Sequence, residues 1–222
     1  MIGFYDYTVI LTYASLVSAV VGVFVSLCGG IPHPYIAIFL LLFSGLCDAF
    51  DGRVARSKKN RTKSMCNFGI QIDSLCDLVA FGVLPACIGY AMWLIPGGFK
   101  IPAPVMVAVS CLYVLGGVIR LAYFNVTEDE LQASGKTKRE FYSGLPITSA
   151  SLIFPTFALV NWLVWKYLQV NISWMYHVLM LVVAFAFVGK FKLRKPGNKA
   201  LMVMMGIGLL EAVILLLSKY VF

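Results

Sequence analysis

Apolar residues in this chain gather in long runs, and polar residues gather between them. Seven runs can be set off, at about 8–28, 35–56, 69–95, 103–124, 145–165, 172–189 and 200–218. Several approach or exceed ~18 residues with few charges, the length a helix needs to cross a bilayer. Gly29-Gly30 and Pro96-Gly97-Gly98 punctuate the first and third. The pattern predicts an all-α polytopic membrane protein, a bundle of about seven transmembrane helices with six to eight as the range. It fills residues 1–222 as one membrane domain and leaves no room for a separate soluble one. No internal repeat or low-complexity segment interrupts it.

Composition agrees. The chain is 60% hydrophobic, against roughly 45–50% apolar in soluble domains. A formal net charge of +8 would suggest nucleic acid as a partner for a soluble protein. Here fifteen of the eighteen cations fall in or beside the 2–3, 4–5 and 6–7 loops, with only Lys100, Lys166 and Lys219 opposite. That asymmetry is a topology signal, because Lys and Arg mark cytoplasmic loops. It predicts insertion in the plasma (cytoplasmic or inner) membrane, with the N-terminus inside, the C-terminus outside for seven spans, and no nucleic acid partner. The N-terminus lacks a basic n-region and a small-residue cleavage site, so the first run is expected to be retained as a span. The six cysteines form no Cys-x-x-Cys pair and read as small apolar packing.

The chemistry is concentrated in residues 48–77. Asp48, Asp51, Asp73 and Asp77 fall there, four of only ten acidic residues in the chain. One carboxylate near hydrocarbon costs roughly 2.5–3.5 kcal/mol on insertion scales, so four need a cation, protons or a water-filled cavity. Spacings of three (Asp48, Asp51) and four (Asp73, Asp77) put each pair on one helix face. The basic loop between them returns the chain to the same membrane surface, so both pairs can meet at one cytoplasmic site. Oxygen-only ligands favour Mg²⁺, Mn²⁺ or Ca²⁺ over zinc, and two pairs could hold two ions that clamp a phosphoryl displacement. Gly52 admits a close ligand, Ala55 keeps that face thin, Arg56 offers a fork for phosphate oxygens, and Gly69 keeps the third span's entry open. Taken singly, any of the four Asp could serve a proton relay or merely end a helix, and Arg53 and Arg56 could be topology markers. An acidic-site transporter stands as a rival, but it needs no such spacing of Gly52, Ala55 and Arg56 and commonly shows repeat symmetry.

Asp48-x-x-Asp51-Gly52-x-x-Ala55-Arg56…Gly69-x-x-x-Asp73-x-x-x-Asp77 resembles the signature of the CDP-alcohol phosphotransferase family at all eight fixed positions. The twelve residues between Arg56 and Gly69 exceed the family's usual gap and predict an extra turn in that loop. Asp73-Ser-Leu-Cys-Asp77-Leu-Val-Ala-Phe81-Gly82-Val-Leu-Pro85, Arg120-Leu-Ala-Tyr-Phe-Asn125 and Tyr142-Ser-Gly144-Leu-Pro146 resemble the serine-using branch. Tyr123 and Thr148 depart from its pattern, and the first span lacks the Asn expected near 13–15.

The resemblance implies CDP-diacylglycerol and L-serine as substrates, two divalent ions (Mg or Mn, with Ca as a possible occupant) and a homodimer among membrane lipids. It implies Asp48, Asp51, Asp73 and Asp77 as metal ligands, Asp77 also as general base, and Asp51, Gly52, Ala55, Arg56 and Gly69 against the CDP moiety. Arg120 is the candidate for the serine carboxylate, with interfacial snorkelling as its alternative; Ser74 and Asn125 are weaker candidates. Sister enzymes using choline, glycerol phosphate or inositol phosphate are the alternative, and Tyr123, Phe124 and Tyr142 keep open an aromatic cage for choline. Lys58, Lys59, Arg61 and Lys63 read as solvated or as binding anionic lipid or nucleotide phosphates. His33 and His177 read as outer interfacial residues, and Glu211 receives no role.

Overall fold

The computed structural model describes residues 3–4, 6–28, 32–58, 60, 62–133, 141–194 and 197–218. Seven helical segments form among them: α1 (Ile10–Leu27), α2 (Pro32–Ser57), α3 (Lys63–Leu94), α4 (Ala103–Ala133), α5 (Ala150–Leu168), α6 (Met175–Val188) and α7 (Asn198–Ser218). Five are long and apolar enough to cross a bilayer; α6 and the apolar stretch of α7 are shorter. The chain is an all-α integral membrane protein, as the apolar runs predict.

Three boundaries differ from the sequence expectation. Helix α3 starts at Lys63, not near Gly69, because the Thr62 hydroxyl accepts a bond from the Met65 N–H at 3.2 Å and caps it. The extra residues before Gly69 therefore lengthen a helix where an extra loop turn was expected. Helix α4 runs on to Ala133 through a segment expected to be loop, since Glu128, Glu130 and Leu131 are good helix formers. Two short strands, β1 (Phe141–Ser143) and β2 (Lys192–Arg194), pair antiparallel where no strand was expected. Gly29, Gly30, Lys59, Arg61, Lys136, Lys138, Arg139, Glu140, Lys195 and Lys219 lie outside the described residues.

Small residues bring the helices close, the usual device where lipid competes for apolar contact. Ser15 and Ser44 each donate to the other's carbonyl (3.3 and 3.1 Å), and Ser18 donates to Leu40 O at 3.0 Å, so α1 and α2 are sewn together. A Cβ on Gly45 would sit 2.4 Å from Ser151 Cβ, which fixes the closest approach of α2 and α5.

Within α3 a π-helical turn spans Leu78–Val83, directly after Asp77. Pro85 has no N–H for the Phe81 carbonyl four residues back. The Tyr113 hydroxyl of α4 takes that carbonyl at 2.6 Å, and the Tyr176 hydroxyl of α6 donates to Pro85 O at 3.0 Å. Three helices are thus fastened at the point where α3 changes register. Tyr113, Phe154, Tyr176 and Phe187 pack around it. His177 also belongs to this interior, only 2% exposed; it is not the interfacial residue expected, because α6 turns that face toward Gly89 of α3.

Gly45→Ala forces a methyl into Ser151. It is expected to destabilise by about 1–3 kcal/mol, the range for overpacking, read as a lower thermal midpoint of detergent-purified protein.

Candidate active site

The C-terminal half of α2 carries Asp48 and Asp51, and the first half of α3 carries Asp73 and Asp77. The helices lie so that the carboxyls meet in cross-helix pairs, Asp48 with Asp77 and Asp51 with Asp73, each within hydrogen-bonding reach. One oxygen from each of Asp48, Asp73 and Asp77 lies within 4.8 Å of the others. Asp51 and Asp77 are each 8% exposed, so water does little to separate these charges.

The four carboxyls gather at one place, as the spacing predicts, but they pair between helices, with one refinement. Asp48, Asp73 and Asp77 converge on one point, while Asp51 is drawn toward α1, where the buried Thr12 hydroxyl donates to its Oδ2 at 3.0 Å. Thr12 was not singled out from the sequence, although the signal was there. Thr8, Thr12, Ser15, Ser18, Gly22 and Ser26 form a small polar stripe at helical spacing in an otherwise apolar run.

The donor set fits a hard divalent cation. It is all oxygen, it converges, and the salt bridge described nearby, Lys58–Asp6, does not neutralise it. The cluster could hold a metal ion on this chemistry.

On the flank, the Arg56 guanidinium folds back along α2: a Cβ on Gly52 would lie 3.4 Å from its Nη1. Arg56 is also close enough to act on the Asp51 charge. Ala55 is half-buried, and Gly69 sits one turn ahead of Asp73 in α3.

The acceptor-side candidates also come together in part. Ser74, beside Asp73, is joined to Asn125 of α4, whose Nδ2 donates to Ser74 Oγ at 2.9 Å. Arg120 does not snorkel to the interface. It is 4% exposed, its Nε donates to Leu145 O at 2.9 Å, and its guanidinium lies 5.5 Å from the Phe124 ring. Gly144 makes that carbonyl available. Its φ of +77° and the carbonyls that crowd its Cβ position (Phe187 O at 2.8 Å) admit only glycine. The Tyr142 side chain lies outside the described residues.

The rim beside the carboxyl cluster is held by the N-terminal segment. Asp6 accepts from Lys58 Nζ at 2.7 Å and from Thr8 N at 2.8 Å, Tyr7 meets Ser57, and the Phe4 and Phe68 rings pack edge to face. The Lys58 ammonium, then Thr8, holds the Asp6 carboxyl well below its usual range. This contribution to stability is full above the ordinary carboxylate pKa and is lost as pH falls toward the depressed value. Lys58 is thus engaged with Asp6, where a solvated or phosphate-binding lysine was expected.

An apolar groove of about 320 Å³ runs between α2, α5 and α7. Leu42, Leu46, Leu152, Leu209 and Ala212 line its length, and Asp48 and Thr148 stand among its lining residues. Leu46, Leu209 and Leu216 are 43%, 67% and 48% exposed, so the groove is open to the side.

Residues 8–188 match the family model described as CDP-alcohol phosphatidyltransferase. The chain belongs to the CDP-alcohol phosphatidyltransferase family. Its relatives include a CDP-diacylglycerol–serine O-phosphatidyltransferase from Saccharomyces cerevisiae, 40% identical over 127 residues (56% of this chain, 42% of the yeast protein). One of the same name from Helicobacter pylori is 36% identical over 117 residues (53% and 43%). An archaetidylserine synthase from Methanothermobacter thermautotrophicus is 35% identical over 125 residues (56% and 47%). The chain thus spans under half the length of these curated relatives. The family match covers every described element from α1 to α6 and leaves out α7.

Thr12→Val removes the donor that holds Asp51. Loss of such an outer partner is expected to weaken Mn²⁺ binding by roughly tenfold, with Thr12→Ser restoring it. Mn²⁺ titration followed by electron paramagnetic resonance checks this.

Proposed function

We propose that this protein transfers the phosphatidyl group of CDP-diacylglycerol to the hydroxyl of L-serine and releases CMP, in phospholipid synthesis. The observation that carries the reading is the four-carboxyl cluster between α2 and α3, with an apolar groove leading from Asp48 and the Gly52–Arg56 flank beside Asp51. The names of the relatives support serine as the acceptor.

Asp48, Asp51, Asp73 and Asp77 hold divalent metal in this reading, Mg²⁺ or Mn²⁺ and two ions when fully loaded. When bound, the metal neutralises the diphosphate and the charge developing on the leaving group. Arg56 takes a diphosphate oxygen, and Gly52, Ala55 and Gly69 leave room for the nucleotide. Asp77 accepts the proton of the serine hydroxyl as its oxygen bonds to the β-phosphorus. The bond from that phosphorus to the CMP oxygen breaks in line, and CMP departs with the electron pair. One acyl chain of the donor lies in the α2–α5–α7 groove, with its head at Asp48.

Arg120 is the cation assigned to the serine carboxylate, set by its bond to Leu145 O, while Ser74 and Asn125 line the acceptor side next to Asp73. Choline is a poorer fit: Tyr123 is 53% exposed, and Phe124 already faces Arg120. The cation distribution supports a cytoplasmic active site on the plasma membrane, and a homodimer is part of the same reading.

Purified protein with CDP-diacylglycerol, Mg²⁺ or Mn²⁺ and a panel of alcohols is expected to release CMP with serine alone. Release with choline or glycerol phosphate but not serine overturns the assignment. Asp77→Asn is expected to abolish turnover and leave CDP-lipid binding measurable; near-normal turnover removes Asp77 as the base. Gly52→Val puts branches against Arg56. It is expected to raise KM for the CDP-lipid and leave thermal stability unchanged, because Gly52 faces the site and not the helix core.

A further inference from the structure

Glu211 is a carboxyl in the interior of α7, 5% exposed, with no part in the chemistry above. Its one described partner is Thr156 of α5, whose hydroxyl lies against Oε1, and Oε2 has no hydrogen-bond partner among the described residues. Thr156 also reaches the Leu152 carbonyl at 2.7 Å. A hydroxyl has one proton for these two acceptors. Both contacts are satisfied together when Thr156 donates to Leu152 O and Glu211, as a carboxylic acid, donates to Thr156.

This clip sits on a wall of the groove. Leu152, one turn before Thr156, lines the groove from α5, and Gly208 and Ala212, flanking Glu211, line it from α7. A Cβ on Gly208 would lie 3.3 Å from Leu152 Cδ2, so the two helices touch there. Helix α7 packs on α5 and α2 along one side, with Leu215 in the core, and its Met202, Val203, Ile207, Leu210 and Leu217 are exposed. A seam of apolar contacts slides easily in lipid, whereas a hydrogen bond fixes one register.

We infer that Glu211 is a positioning residue for the lipid donor: its bond to Thr156 sets α7 as the groove wall against which the long acyl chain is bound. The inference rests on the donor reading given above. It assigns Glu211 to the tail of the substrate, away from the reacting phosphorus, so its effect depends on how much chain the donor carries.

The test compares a dioleoyl with a dibutyryl CDP-diacylglycerol, using the full chain in detergent. Glu211→Leu is expected to raise KM for the dioleoyl donor about tenfold, as loss of a buried hydrogen bond allows. The KM for serine, the kcat and the KM for the dibutyryl donor stay within about twofold, since uniform binding alone is lost. Glu211→Gln, whose amide still donates to Thr156, keeps wild-type behaviour, and Thr156→Val shifts KM in the same direction as Glu211→Leu. Equal KM changes for both donors, or none, overturn the proposal. Binding of CDP-diacylglycerol spin-labelled on its acyl chain is read beside this. Glu211→Leu is expected to lose the immobilised signal of the wild type, and an unchanged signal overturns the proposal. A wild type that binds the labelled lipid but releases no CMP with serine removes the transferase reading and leaves the tail assignment standing on the spin label.

Discussion

Crowding of like charge in hydrocarbon governs this structure. Four carboxyls meet across two membrane helices, and two of them, Asp51 and Asp77, are buried away from solvent that would spread their charge. Coulomb repulsion between ions a few Å apart grows several-fold when the surroundings change from water to protein. The fold has to make that crowding reproducible, because a cation-holding site with loose ligands loses its geometry before it loses its affinity. Much of the packing serves this purpose. The α1–α2 serine seam fixes the helix that carries Asp48 and Asp51, Thr12 trims the position of Asp51, and the Thr62 cap starts α3 well ahead of Asp73. The π turn after Asp77, with its freed carbonyl fastened by Tyr113, fixes the other helix just beyond its last carboxyl.

The site is polar on one side and apolar on the other for the same reason. The proposed donor, with a diphosphate head and hydrocarbon tails, needs both environments close together. Helix α2 provides them by angle alone. Asp48 and Leu46 are two residues apart, about 160° around an ideal helix, yet both border the groove that α2 shares with α5 and α7. Small residues carry the transition: Gly45, Ala49, Ser151 and Gly208 leave a gap where large side chains would close it.

Much of the fold and the heart of the site were legible in the sequence. Hydrophobic run length is read directly by the bilayer, so both ends of the first two spans, the end of the third and the start of the fourth were placed to within about three residues. The carboxyl cluster was legible because its spacing is a local, one-helix property. What escaped depended on partners distant in sequence. Arg120 looked free to snorkel because its carbonyl acceptor is twenty-five residues on and is exposed only by a left-handed glycine. Helices α3 and α4 overran their expected ends because polarity was read as loop, whereas Thr62 caps and Glu-rich segments are compatible with helix in water. Thr12 lay in a stripe whose period was visible, but the stripe does not say which neighbour it faces. Glu211 could be recognised as costly without its Thr156 partner being apparent.

The two-stranded ribbon bears on the order in which the molecule is made. Every carboxyl of the cluster, and Thr12 beside them, lies in the first 77 residues. The seat of Arg120 depends on the far end of the chain: Gly144 N–H bonds to Phe191 O, Leu145 N–H bonds to Ala186 O, and Phe141–Ser143 pair with Lys192–Arg194. During synthesis, where N-terminal segments fold first, the acidic half can be complete while α6 is still in the ribosome. Leu145, whose carbonyl holds the buried guanidinium, gains its own backbone bond to Ala186 only when that helix has arrived. A chain truncated before residue 191 would thus carry the negative half of the site and keep Leu145, but would lose the Phe191 carbonyl and the strand that hold the Gly144–Leu145 turn under the positive half.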